Sequence, residues 1–293
     1  MKVLPLDQVK PREDRSRHVA IGTFDGVHLG HRAVIGGADT VLTFDPHPLA
    51  VIRPDAMPKL LMPFDIKRDV ISGLGVEELA VIHFDREFQE LSADRFVEDV
   101  LVGRLGASQV RVGENFRFGK GAKGDTDFLR SRSEFETEVV PMVEVEGETV
   151  SSTQIRALVA AGDVERAARF LGAPFMLEGE VVRGDGRGRE LGMPTANLVP
   201  DPRFAVPGHG VYAAWAHGHP AAVNVGVRPT FDSGRGLLVE SYLIDYSDDL
   251  YGQTLRVAFV KRLRGERRFD SVDALVEQML RDVEEVRATV RRR

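Results

Sequence analysis

The apolar pattern of this chain changes period once, near Gly172–Met176, and that change constrains every fold the chain can adopt. Upstream of it, His18–Thr23, Thr40–Phe44, Leu79–Phe84, Gln109–Val112 and Thr137–Val143 read as strands, and segments such as Pro63–Leu74 and Ala93–Leu105 keep helical spacing between them. Strands alternating with helices predict a parallel sheet with crossovers, in which a ligand sits beyond the carboxyl ends of the strands. Downstream, Glu178–Val182, Gly210–Trp215, Ala221–Val225, Leu237–Ile244 and Thr254–Phe259 follow one another across Gly and Pro turns, a pattern that favours an antiparallel sheet or small barrel. Ser271 reads as the N-cap of a final helix, with Val272, Leu275, Val276, Met279, Leu280 and Val283 at helical spacing. A chain of 293 residues is long for one core, so two modules are expected, 1–174 and 175–293.

Composition narrows the function classes. There is no Cys, which excludes disulfides and thiolate metal sites. A formal net charge of −6 argues against a large nucleic-acid footprint, and Lys261–Arg268 and Arg291–Arg293 read as solvated local exceptions. No apolar run has membrane-spanning length and Met1–Pro5 lacks a signal-peptide core, so the expectation is a cytoplasmic protein without nucleic-acid or membrane partners.

The sharpest local signal is Thr23-Phe24-Asp25-Gly26-Val27-His28-Leu29-Gly30-His31, directly after the first strand. Gly26 and Gly30 allow close backbone approach, and a helix starting here would aim unpaired N–H groups at an anion. His28 and His31, three apart, would share a helix face and could donate to a phosphate; the rivals are two surface histidines or a metal pair lacking a third ligand. Leu42–Pro48 brings His47 to the same sheet edge, where a turn role is also open. Gly113–Gly119 supplies the amide of Asn115 and aromatic rings there. Ser151-Ser152-Thr153-Gln154-Ile155-Arg156 reads as a capping box opening a helix. A cation such as Arg156 in the first turn opposes the helix dipole, and an anionic partner would remove that conflict. Gly36-Gly37 should end the helix after His31 early, leaving a crossover of barely the required length. Gly119–Thr126 has a Walker A outline but places Asp125 where Lys is required.

A second constellation spans Val181–Asn197. Gly184 and Gly186 suit a flap over phosphates, and Thr195 and Asn197 offer hard oxygen ligands on one side of an extended segment; a hairpin with a Gly-rich turn is the bland alternative. Further on come Asn224–Thr230, Val239–Asp245 and Asp249–Gly252. Glu240 lies in a mostly apolar strand on the face of Leu238, Tyr242 and Ile244, where a carboxylate is costly unless partnered, for example by Arg228, or used as a base.

The segment Gly26–His31 resembles the HxGH motif of the nucleotidyltransferases. Together with Leu42–Pro48, Gly113–Gly119 and Ser151–Arg156 it resembles the FMN adenylyltransferase module of the bifunctional riboflavin kinase/FAD synthetase family. Pro194-Thr195-Ala196-Asn197 and the segments after it resemble the family's riboflavin kinase module. The resemblance implies an α/β, Rossmann-like nucleotidyltransferase domain followed by an antiparallel β-barrel kinase domain with a C-terminal helix. It implies ATP-dependent phosphorylation of riboflavin to FMN, then adenylylation of FMN to FAD with release of pyrophosphate. It further implies that Gly26, His28 and His31 handle ATP phosphates, that Ser152, Thr153 and Arg156 bind triphosphate, and that Asn115 lies at the nucleotide or flavin site. Thr195 and Asn197 would hold Mg2+ and phosphates, Glu240 would be the base, and flavoproteins would receive the FAD. The alternatives are a chain with one live module and a flavin-binding regulator that does not catalyse.

Overall fold

The structure is a computed structural model that describes residues 1–184, 188, 191–226 and 238–290. Packing divides it into two compact units, Met1–Pro58 with Phe64–Ser151, and Lys59–Pro63 with the residues from Ser152 on.

The first unit is built on a six-stranded parallel sheet. Its strands are β1 (Lys2–Pro5), β2 (Arg17–Ile21), β3 (Thr40–Asp45), β4 (Glu78–His83), β5 (Ala107–Gly113) and β6 (Glu136–Val140), in the order β1-β4-β3-β2-β5-β6. The central strands read as near-continuous apolar runs because helices cover both faces of a parallel sheet. Val19, Ile21, Leu42, Ile82, Val110 and Val112 are buried with Phe96, Val97, Val100 and Leu101. Those last four lie on a helix that starts at Ala93–Arg95 and continues with π-helical winding over Phe96–Arg104, closed by Leu105 N–H donating to Val100 O at 3.0 Å. Periodicity alone cannot reveal that wider winding. A two-residue turn, Glu146 and Gly147, both at positive φ, joins β7 (Glu144–Val145) to β8 (Glu148–Thr149).

The helix after the first loop is short, Leu29–Ile35, and Gly36 and Gly37 terminate it as expected. Arg111 on β5 reaches across to the carbonyls of Val34 (Nε, 3.1 Å) and Ala33 (Nη2, 3.3 Å). A strand arginine thus satisfies the helix end that a further turn would otherwise have covered.

The second unit is a closed antiparallel barrel of β9 (Phe175–Val182), β10 (Ala196–Pro200), β11 (Gly210–Ala216), β12 (His219–Gly226), β13 (Leu238–Leu243) and β14 (Thr254–Arg264), ordered β10-β13-β12-β11-β14-β9. Alternation sends Val239, Ser241 and Leu243 inward with Ala221, Val223 and Val225. Two helices precede the barrel, Ser152–Ala161 and Val164–Leu171. The second buries Val164, Ala167, Phe170 and Leu171 and ends at Gly172 in the left-handed conformation, whose N–H donates to Ala168 O at 2.8 Å. The short stretch Lys59–Pro63 joins this unit through Leu60, which donates to Arg203 O at 2.9 Å and accepts from Ala205 N–H at 2.7 Å.

The helix Val272–Thr289 begins where expected, with Ser271 Oγ accepting from the Ala274 N–H at 3.2 Å. Val283 and Val286 bury against the barrel, whereas Val272 and Leu280 are more than half exposed. Those two positions correct the sequence expectation of a six-residue apolar face: the helix lies against the barrel along a narrower stripe. Arg264 forks onto Asp282 of this helix, with contacts of 2.7–3.1 Å, and Gln278 adds a donor at 2.8 Å.

Candidate active sites

The loop after β2 occupies the carboxyl edge of the parallel sheet. Phe24, Gly26 and Val27 all have positive φ (50°, 92° and 40°). For Phe24 and the β-branched Val27 that conformation is strained, and such strain persists only where surrounding structure imposes it. His28 is the N-cap of the short helix: its Nδ1 accepts from the His31 N–H at 3.2 Å. That bond fixes Nδ1 as an acceptor, so in the neutral ring the proton sits on Nε2, which becomes the donor. The two imidazoles stack with centroids 3.5 Å apart, and Phe24 meets His31 edge-on at 5.4 Å. Gly30 serves this stack, since a Cβ there would lie 3.2 Å from the His28 ring.

Burial, then the neighbouring His28 and the Lys67 ammonium, push the His31 imidazole well below the usual histidine range. Its buried Nδ1 has no hydrogen-bond partner among the described residues. Lys67, on the helix Phe64–Ser72, reaches under the loop and donates to Thr23 O (3.3 Å) and Thr43 Oγ1 (3.4 Å). Burial lowers its pKa, opposed by the carboxylates of Asp25 and Asp45. The result is a neutral His31 stacked on the capping ring of His28, with the Lys67 amino group beside the same loop, an arrangement suited to an anion that needs hydrogen-bond donors.

β3 and β5 flank β2, so the loops carrying His47 and Asn115 leave the same sheet edge. His47 caps the helix Pro48–Ile52, its Nδ1 accepting from Leu49 N–H at 3.2 Å, and this supplies the turn role left open by the sequence. Asn115 is exposed and its amide lies 3.3 Å from Met142 Sδ. Ser152, Thr153 and Arg156 belong to the second unit. Arg156 Nε donates to Lys59 O at 2.7 Å, so an anion is no longer required to explain this cation near a helix start.

In the barrel, Thr195, Asn197 and Glu240 line one cavity of about 760 Å³ beside the helix Val272–Thr289. Register places Asn197 on β10 directly opposite Glu240 on β13, and Glu240 opposite Asn224 on β12. Asn197 is buried, and its Oδ1 has no partner among the described residues while its Nδ2 lies 3.5 Å from Thr195 O. A side chain at Gly184 would strike the Asn197 carboxamide, and one at Gly188 would come within 3.3 Å of Thr195 Oγ1. The glycines therefore run close over these two groups. Glu240 shares the cavity wall with Leu238 and Tyr242, as alternation predicts, and its partner is Asn224 Nδ2, 3.4 Å from Oε2. Gly186 and the rival partner Arg228 lie outside the described residues. Sequence reasoning missed Lys67, which reads as one more solvated lysine, and Asn224, whose register against Glu240 only the folded barrel reveals.

The FAD synthetase family model matches residues 10–154 and the riboflavin kinase family model matches residues 171–290. The bifunctional riboflavin kinase/FMN adenylyltransferase of Listeria monocytogenes is 34% identical over 294 residues, covering 94% of this chain and 93% of its own. The protein of the same description from Pseudomonas fluorescens is 37% identical over 300 residues, with 97% and 96% covered. A solved Streptococcus pneumoniae structure, described as a macrolide-efflux protein, has a TM-score of 0.86 at 31% identity and covers 98% of this chain and 99% of its own. Both modules are thus matched, in order, across relatives that span nearly the whole chain, and the protein belongs to the bifunctional riboflavin kinase/FMN adenylyltransferase family.

Proposed function

We propose that this chain makes FMN in its barrel and FAD in its α/β unit, each reaction carried by its own residues. The observation that carries the reading is the presence of two separately built sites: the His28–His31 stack in one unit and the Asn197–Glu240 pair in the other. In the barrel, the terminal ribityl hydroxyl of riboflavin attacks the γ-phosphorus of ATP. Glu240 accepts the hydroxyl proton as the new P–O bond forms and ADP departs.

In the α/β unit, a phosphate oxygen of FMN attacks the α-phosphorus of ATP, and the bond to the bridging oxygen breaks to release pyrophosphate. His28 donates from Nε2 to the phosphate oxygens, and neutral His31 lies against it. Gly26 keeps the loop backbone close to the phosphates, while the Lys67 ammonium below favours negative charge above it. No proton leaves a hydroxyl here, so donors rather than a base are what the chemistry asks for. Asn115 and His47 border this site; Ser152, Thr153 and Arg156 are the proposed triphosphate contacts; Gly184 and Gly186 form the flap of the kinase site.

Magnesium fits the barrel site, because a buried carboxamide oxygen without a partner, Asn197 Oδ1, beside a threonine hydroxyl is a hard donor set. Thr195 and Asn197 would hold the ion, which when bound screens the charge of the ATP phosphates. A cytoplasmic location and flavoproteins as FAD recipients complete the reading. Incubation with riboflavin, ATP and magnesium, with the flavins resolved by chromatography, tests it: FMN should appear first and FAD after it. Turnover of riboflavin with no FAD, or of supplied FMN alone, would leave a single live module.

A further inference from the structure

Three strands of the barrel set three polar side chains in one row: Asn197, Glu240 and Asn224 are successive register partners across β10, β13 and β12. Directly opposite residues in antiparallel strands stand roughly 5 Å apart and share a face, so each neighbour lies within reach of the central carboxylate. The two flanking carboxamides behave differently. Asn197 directs its Nδ2 toward Thr195 O and leaves its buried oxygen without a donor, so it presents an acceptor to the cavity. Asn224 turns its Nδ2 to Glu240 Oε2, at 3.4 Å.

We propose that Asn224 is a positioning residue of the kinase reaction, holding the Glu240 carboxylate away from Asn197 and presenting its second oxygen to the flavin hydroxyl. This rests on the reading of Glu240 as the base. An acidic side chain next to an oxygen-rich site that is to hold a cation has two possible fates, ligand or base. A donor on the far side of the carboxylate occupies one oxygen and draws the group toward β12, which favours the second fate. Among the described residues no second hydrogen bond reaches the Glu240 carboxylate. Arg264 of the cavity wall is committed to Asp282, and Tyr242 lies two residues along β13 on the same face. Glu266 approaches from the end of β14 over Gly226: a Cβ at that glycine would lie 2.5 Å from Glu266 Oε1 and 3.7 Å from Asn224 Nδ2. Gly226 therefore leaves room for a second carboxylate on the open side of the same amide, whose two N–H groups can serve both acids.

The test is a double-mutant cycle on the full chain, reading steady-state FMN formation. Asn224→Leu should lower kcat about tenfold with the Michaelis constants for riboflavin and ATP within about threefold, since a misplaced base slows chemistry rather than binding. In a Glu240→Gln background the same substitution should cost less than about twofold, because the group it positions is no longer a base. Asn224→Asp, of the same shape, should lose at least as much as Asn224→Leu, and it keeps the test available if the leucine variant does not fold. Equal losses in both backgrounds, or no loss with Glu240 present, would overturn the proposal while the base reading stands. Normal FMN formation by Glu240→Gln alone would sink that reading, and the proposal with it.

Discussion

A histidine held neutral by its surroundings leaves a mark on acid stability. The His31 ring has a folded pKa well below the value of 6.5 expected when unfolded. As pH falls from above 6.5 toward that folded value the unfolded chain takes up a proton that the folded chain does not, so stability is lost on acidification and is unaffected above this window. His31→Gln should therefore lose less thermal stability than the wild type between pH 7.5 and pH 5.5, by up to about 1.4 kcal/mol for each pH unit within the window. Scanning calorimetry at the two pH values checks this, and an unchanged acid sensitivity would show that the ring binds protons equally in the folded and unfolded states. These residues were unevenly legible in the sequence. The Gly-His spacing marked His28 and His31, because few other arrangements put two imidazoles after a strand. Lys67 and Asn224 carried no such mark, since their partners, Thr23 and Glu240, are 44 and 16 residues away and meet them only through the sheet and the barrel.

Elements differ in how openly the sequence announces them. The four inner strands of the parallel sheet are readable because burial on both faces makes them largely apolar, and the edge strand β6 is readable from its closing Val139-Val140, but β1 is not, being an edge strand of mostly exposed residues. Likewise Lys59–Pro63 gives no sequence sign that it packs with a unit whose main body begins at Ser152. The helix Val272–Thr289 was legible from its cap and spacing, but not the pair that fastens it. Arg264 and Asp282 are both largely buried, and removing one partner leaves the other desolvated and uncompensated. Asp282→Ala should destabilise the barrel unit by about 3–5 kcal/mol and reduce FMN formation, because this helix forms a wall of the kinase cavity. FAD formation from supplied FMN should persist at temperatures where the barrel is still folded. A variant as stable as the wild type in denaturant titration would mean the fork contributes nothing.

On the scale of the whole molecule, the change of hydrophobic period near Gly172 and the division of packing at Ser151–Ser152 differ by two helices. Sequence pattern groups those helices with the α/β half, while Val164, Ala167, Phe170 and Leu171 bury their side chains in the unit that contains the barrel. A fragment from Ser152 should accordingly fold and phosphorylate riboflavin, whereas one from Met176 should be markedly less stable, having lost that apolar face. Equal melting temperatures for the two fragments would contradict this. The central claim is that the two chemistries depend on separate residues, His28 and His31 for one and Asn197 and Glu240 for the other. It is tested most directly by assaying His28→Ala and Glu240→Gln for both half-reactions, riboflavin to FMN and supplied FMN to FAD. His28→Ala should lose FAD formation by a hundredfold or more, to about the extent seen when one transition-state donor is removed, and keep FMN formation. Glu240→Gln should lose FMN formation by about a hundred- to ten-thousandfold and keep FAD formation. Two crossed deficits of this kind are what the account predicts; a variant in which both half-reactions fail together while the fold is intact, or in which neither fails, would contradict it.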